Sequence, residues 1–306
     1  MIKSFFNENA KERKNIFKNS RNILRFLSVD IGERTVRKHS NLNRARDFIS
    51  GYMRQNGGIP FEETYTVDGR EVANIITEIR GTENPDEIVI IGAHYDTIEG
   101  CPGADDNGSA IATLLELHRL LSPFSFKRTV RFVAFTLEEP PYFSTEKMGS
   151  WVHASGCKSR GENIELMICL EMLGFGGKKC KQAYPIDMIK GNFPQRGDFI
   201  VVVSLPSASP YTYLWKKLYN SHATKKIFEL IGPASIPGVS HSDHYSFWKH
   251  GYPGIMLTDT AFYRNKNYHT PDDTFETINF RFLTDNIMNT YNTLMDLLNM
   301  DKFFDF

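Results

Sequence analysis

An apolar strand ending in a histidine and a knot of acids constrains this chain more than any other feature: residues 88–106, IVIIGAHYDTIEGCPGADD. Ile88, Val89, Ile90 and Ile91 are all apolar, so both faces of the strand must be covered, as in the parallel sheets of α/β proteins. His94, Asp96, Asp105 and Asp106 then emerge at its C-terminal end, the edge where open α/β sheets keep their sites. The pattern recurs. RFVAFTLEE ends a second apolar strand in Glu138 and Glu139, LMICLE ends a third in Glu171, and NYHTPDDT brings His269. Four separate segments thus offer oxygen and imidazole donors at matching places.

The rest of the chain supports a sheet of this kind. The apolar runs TVRFVAFT, ELMICL, DFIVVVS and PGIMLT alternate with helical segments around residues 211–220 and 282–300, which implies a mainly parallel sheet covered on both faces. Residues 15–27 and 44–56 have helical apolar spacing, the second with Ala45, Phe48, Ile49, Tyr52 and Met53 on one stripe. FEETYT and EVANIITEIRG flank Asp68-Gly69, a hairpin signal that adds antiparallel strands. Residues 109–121 put Ala110, Ile111, Leu114, Leu115, Leu117 and Leu121 on a broad buried face. The expected class is α/β, an αβα sandwich with a mixed, mainly parallel central sheet. Candidate ligands run from His94 to His269 with no Pro/Gly/Ser linker between them, so a single domain is expected over residues 1–306.

Composition excludes some functions. Lys plus Arg and Asp plus Glu are 36 each, so there is no basic excess of the kind that nucleic acid or an anionic membrane surface requires. No apolar run approaches the roughly 18 residues of a membrane span, and the N-terminus lacks a signal-peptide core. Cys101, Cys157, Cys169 and Cys180 are too few and too irregularly spaced for a disulfide scaffold or a CxxC zinc site. Free thiols favour a cytoplasmic setting, with a secreted one open if a leader was removed. The expected partners are peptides or small molecules; the oligomeric state is open.

In this order and context, HYD, GADDNGSA, LEE, LEM and YHTPDDT resemble the M28 metallopeptidases, the co-catalytic zinc aminopeptidases, over about residues 20–298 and including SDHYSFW at residues 242–248. The ligand spacing leaves no room for a protease-associated insertion. The resemblance implies two zinc ions: His94 and Glu171 on one, Glu139 and His269 on the other, and Asp105 bridging them. It makes Glu138 the general base and Asp96 the carboxylate that orients the His94 imidazole. It also suggests a cis peptide between Asp105 and Asp106. The residue types suit this chemistry, because imidazole and carboxylate bind zinc and the lack of cysteine ligands argues against a closed structural site. Bound metals lower the pKa of a water and polarise the scissile carbonyl, and Glu138 carries the proton to the leaving amine. Glu171 departs from the aspartate of the best-known members by one methylene, which alters metal spacing or preference rather than the role.

Two alternatives share the fold. A glutaminyl-cyclase-like enzyme uses a single zinc and has motifs resembling Asp243-His244 and His269-Thr270. A carboxypeptidase needs a cation for the substrate's terminal carboxylate, for which Arg264 or Lys266 is a candidate, although both read as residues of a solvated loop. His39, His118, His153, His222 and His250 read as surface or partly buried histidines and not ligands. His241 and His244 are open, as is Asp243, between a place near the substrate pocket and a hydrogen-bonding role at a helix start. Asp272 and Asp273 read as capping or turn residues. Tyr142, Phe143, Phe175 and Tyr263 are candidates to line a specificity pocket.

Overall fold

Successive side chains of a strand point to opposite faces, so the unbroken apolar run at residues 88–91 has to supply two cores at once. Val89 and Ile91 lie in one buried cluster, Ile88 and Ile90 in the other. The structure is a computed structural model that describes residues 2–185, 191, 193–223 and 227–304, with side chains from residue 10 onward. In chain order its elements are α1 (Ile2–Arg25), a π-helical turn (Phe26–Ile31), α2 (His39–Gln55), β1 (Phe61–Val67), β2 (Arg70–Ile79), β3 (Asn84–His94), α3 (Ala110–Leu121) and β4 (Arg128–Phe135). There follow α4 (Gly149–Arg160), β5 (Asn163–Glu171), β6 (Val201–Ser204), α5 (Ser209–His222), β7 (Phe228–Ile231), α6 (His244–Lys249), β8 (Gly254–Thr258) and α7 (Phe280–Leu298).

The eight strands form one sheet in the order β1-β2-β4-β3-β5-β8-β6-β7. Its centre, β4-β3-β5-β8, is parallel, while β1 pairs antiparallel with β2, β2 with β4 and β6 with β8, and the edge strand β7 runs parallel to β6. The hairpin turns at Asp68 and Gly69, both at positive φ (51° and 75°), as a two-residue turn between Val67 and Arg70 demands. On one face α1, α2, α3, α5 and α7 pack through residues such as Leu24, Ile49, Leu114, Trp215 and Leu283. On the other, α4 and α6 contribute Ala154, Cys157 and Phe247. The sandwich and the mixed sheet agree with the sequence reading.

Two elements were not anticipated. The sequence of α4, GSWVHASGCKSR, has little apolar periodicity because the residues it buries, Gly149, Ser150, His153, Ala154 and Cys157, are small or polar. The other, β7, is a four-residue edge strand, half-buried throughout, whose FELI pattern carries no alternation. The expected strand at residues 198–204 is also shorter, pairing only from Val201, although Phe199 and Ile200 are buried on its approach.

Parallel pairing sets the site. Gly92 lies opposite Cys169, so two residues further on His94 and Glu171 stand level on neighbouring strands. His94 shares its face with Ile88 and Ile90, and Glu171 shares its face with Met167 and Cys169. Both therefore leave the sheet edge on the side of α4 and α6.

Candidate active site

At the C-terminal edge of the parallel strands, two groups of donor atoms share one carboxylate. His94, Asp106 and Glu171 form the first group, and Asp106, Glu139 and His269 the second. His94 Nε2 lies 3.5 Å from both Asp106 Oδ1 and Glu171 Oε2. His269 Nε2 lies 3.2 Å from Asp106 Oδ2 and 3.1 Å from Glu139 Oε2. The two oxygens of Asp106 are thus divided between two imidazoles. Glu138 Oε2 sits beside the first group, 3.8 Å from His94 Nε2.

The bridging position belongs to Asp106, where the sequence reading assigned Asp105. Asp105 is turned inward and its oxygens are engaged: Oδ1 accepts from Gly174 N and Ser109 Oγ, and Oδ2 from Asn265 Nδ2. The turn Ala104–Ser109 is irregular, so consecutive aspartates point in unrelated directions, and spacing alone could not choose between them. The non-proline cis peptide likewise joins Asp106 to Asn107, one residue later than expected.

Supporting groups fix the others. The Asp96 carboxylate accepts from the backbone N–H groups of both Glu138 and Glu139, at 3.0 Å each, and its Oδ1 lies 3.4 Å from His94 Nδ1. It therefore positions three residues of the site, not only the imidazole that the sequence reading gave it. Ser242 Oγ and Asn107 Nδ2 donate to Glu171 Oε2, and Asn107 also bonds the backbone at Leu170 and Met172. Asp273 accepts from the N–H groups of Asp105 and Asp106, a capping role as expected, here on the critical turn. Ser242 and Asn107 carried no signal in sequence beyond their nearness to the motifs. Asp243 lies wholly buried at the start of α6 without a hydrogen bond to either oxygen, and burial pushes its carboxyl up to about 7.

The site is charged and buried. Asp106, Glu138, Glu139 and Glu171 are all less than 8% exposed. Burial, reinforced by the neighbouring carboxylates, raises Glu138 well above the ordinary glutamate range; burial and Asp106 bring Glu139 to about 7. Burial works against a charge on His269, but hydrogen bonding to Asp106 and Glu139 outweighs it and raises the imidazole to about 10. Among the described residues Glu139 Oε1 has no hydrogen-bond partner despite its burial, and Asp106 Oδ2 has only the His269 imidazole, 3.2 Å away. Such a cluster is incomplete without cations, and imidazole plus carboxylate donors in two groups sharing one aspartate fit a pair of divalent metal ions.

Two cavities open around it. The central one is lined by Asp106, Glu139, Glu171 and His269 of the donor groups together with Glu138, Pro140, Phe143, His241 and Tyr268, with no lysine or arginine among the described residues. An apolar pocket adjoins through Glu171, His241 and Tyr268 and is walled by Val201, Val203, Leu230, Met256, Phe262 and Tyr263. Of the aromatics singled out in sequence, Phe143 lines the first cavity and Tyr263 the second. Tyr142 lines a separate polar cleft, and Phe175 lines none of these. Arg264 is not on a solvated loop: it is buried, donating to Gln182 Oε1 and Phe199 O, while Lys266 is exposed as expected. His118 and His153 are buried as well, bonded to Ser122 and Glu63. His244 bonds the backbone at Val239.

A mixed sheet carrying paired imidazole–carboxylate groups at its parallel edge defines a metallohydrolase class, and sequence comparison identifies the family. Residues 74–294 match peptidase family M28, and the chain belongs to that family. It is 36% identical to the uncharacterised Escherichia coli protein YfbL over 267 residues, covering 84% of this chain and 81% of YfbL. It is 27% identical to leucine aminopeptidase 1 of Colletotrichum graminicola over 249 residues, 78% of this chain but only 56% of the fungal protein. The fold is similar to that of a zinc aminopeptidase from Bacillus subtilis (TM-score 0.73, 15% identity, 94% of this chain and 96% of the other). It is also similar to a Porphyromonas gingivalis glutaminyl cyclase (TM-score 0.67, 19% identity, 92% and 98%).

Proposed function

We propose that this chain is a zinc aminopeptidase that hydrolyses the N-terminal peptide bond of peptides with two metal ions and Glu138 as general base. The observation that carries the reading is the division of the Asp106 carboxylate between two imidazole–carboxylate groups, with a free glutamate beside them. His94, Glu171, Glu139 and His269 would hold the metals and Asp106 would join them. When bound, the metals supply electrophilic activation of water and of the scissile carbonyl. Glu138, buried and held by its backbone to Asp96, accepts a proton from the attacking water and delivers it to the departing nitrogen. Asp96 keeps the His94 ring and both glutamates in place.

The lining of the cavities supports an exopeptidase acting at the amino end. A cavity walled by carboxylates and, among the described residues, by no lysine or arginine favours an ammonium group over a carboxylate. Arg264, the cation a carboxypeptidase would have drawn on, is buried with its Nε and Nη1 on carbonyl oxygens and lines neither cavity. The apolar pocket suits a bulky uncharged side chain at the substrate's first residue, since the carboxylate at its far wall, Glu229, is already paired with Lys216. The polar cleft lined by Arg37, Asp68, Arg70 and Tyr142 meets the central cavity at Glu139 and Pro140 and offers the rest of the peptide a path. A single-zinc cyclase would need only one of the two donor groups.

Zinc analysis combined with a panel of aminoacyl nitroanilides and a glutaminyl peptide tests this. The expected result is two zinc ions per chain and release of N-terminal residues. Leucine, methionine or phenylalanine should be preferred over glycine by roughly 10- to 100-fold, the worth of burying about 1.5–3 kcal/mol of side chain. One zinc per chain with conversion of the glutaminyl peptide to its cyclic form would transfer the assignment to the cyclase.

A further inference from the structure

Arg34 lies between the π-helical turn and α2, outside the residues that match the family, and its side chain is fully buried. Every acceptor of its guanidinium is a backbone carbonyl. Nε donates to Tyr95 O at 2.7 Å, Nη1 to Leu27 O, Gly32 O and Pro102 O at 3.1, 3.0 and 2.8 Å, and Nη2 to Gly103 O at 3.0 Å. These oxygens belong to three segments: the N-terminal helical region, the end of β3 between His94 and Asp96, and the start of the turn that carries Asp106. The backbone of Arg34 adds a reciprocal pair with Thr97, donating to its Oγ1 and accepting from its N–H. The fit is close on the turn side. Gly103 has φ 60°, and a Cβ there would lie 2.9 Å from Arg34 Nη2 and 2.3 Å from Thr97 Cγ2.

We propose that Arg34 is a positioning residue for the two-metal site: its fork ties the strand end bearing His94 to the turn bearing Asp106 and so sets the distance between the two donors. The proposal rests on the two-metal reading above. Five N–H bonds in one plane let a guanidinium reach all three segments at once, which the compact ammonium of lysine cannot do. Its hydrogen bonds go to carbonyl oxygens, and the Asp96, Asp273 and Asp106 carboxylates act on it through space, so it also offsets part of the repulsion within the acid cluster. The π-helical turn after α1 thereby becomes part of the catalytic unit and not merely a cover for the sheet.

The test is zinc affinity, measured by chelator competition on Arg34→Lys, Arg34→Met and Gly103→Ala, at a temperature where circular dichroism shows each variant folded. Loss of a positioning contact behind metal ligands typically weakens affinity about 10- to 100-fold, and that loss is expected in all three, with the weaker of the two zinc ions lost first. Glu116→Gln serves as the control, because Glu116 ties α1 and α2 to α3 through Asn19 and Tyr52 without touching the clamp. It should lower the melting temperature and leave zinc affinity unchanged. If Arg34→Met does not fold, Arg34→Lys decides the matter, because a Cβ at Gly103 would also lie 2.4 Å from Asp106 O and disturb the turn directly. Wild-type zinc affinity in the folded variants, alongside a lowered melting temperature, would overturn the positioning role while leaving the two-metal reading intact. Fewer than two zinc ions on the wild-type protein would remove both.

Discussion

Glu138→Gln is expected to bind zinc as the wild type does and to lose about 10²- to 10⁴-fold in turnover, the usual contribution of a general base. The neighbouring Glu139→Gln should instead lose metal. Although adjacent, the two side chains occupy different places: Glu139 Oε2 is 3.1 Å from His269 Nε2, whereas Glu138 Oε2 lies beside the first group, 3.8 Å from His94 Nε2. Both backbones hang from the Asp96 carboxylate, so an amide at position 138 should leave the scaffold intact while removing the one oxygen able to accept a proton. Asp96→Asn is a third point of comparison, because it disturbs both glutamates and the His94 ring together and should lower metal content and turnover at once. Paired zinc analysis and single-turnover hydrolysis separate the three. A Glu138→Gln enzyme with near-normal turnover would show that another group moves the proton.

Much of this site was legible because its ligands sit at strand ends. Continuous apolar runs announce buried parallel strands, and the polar residue that ends each run marks the sheet edge, so His94 and Glu171 could be placed at that edge from sequence, while their pairing came from the family resemblance alone. The positions that escaped are those where regular structure stops. Asp105 and Asp106 lie in a turn without repeating geometry, and only the backbone there decides which one faces His94 and which one faces Asn265. Arg34 and Arg264 look like ordinary surface cations in sequence; each is buried because carbonyl oxygens from distant segments converge on it. Ser242 could be linked to Glu171 only once the loop before α6 was folded over the end of β5. The small and polar buried face of α4 and the short edge strand β7 lack the periodicity that reveals elements in sequence.

Removal of metal should destabilise the protein in a way that depends on pH, and the same experiment separates Asp106 from Asp105. In the metal-free protein burial and Asp106 raise Glu139 to about 7, burial and Asp105 raise Asp273 to about 8, and His269 stands at about 10 because Asp106 and Glu139 outweigh its burial. Each value lies above that of the unfolded chain, so the folded metal-free protein binds extra protons, and its stability falls as pH rises through this range. Zinc takes the place of those protons. The difference in melting temperature between loaded and metal-free protein should therefore be small near pH 5 and should widen steadily toward pH 8. At a thousandfold excess of zinc over its Kd the linkage is worth about 4 kcal/mol, on the order of 10 °C for a chain of this size. Asp106→Asn should abolish most of that gain, because both donor groups lose their shared carboxylate. Asp105→Asn should keep the zinc-dependent gain while melting lower throughout, since it loosens bonds to Gly174, Ser109 and Asn265. Were Asp105→Asn the variant that lost its response to zinc, the bridge would have to be moved back by one residue.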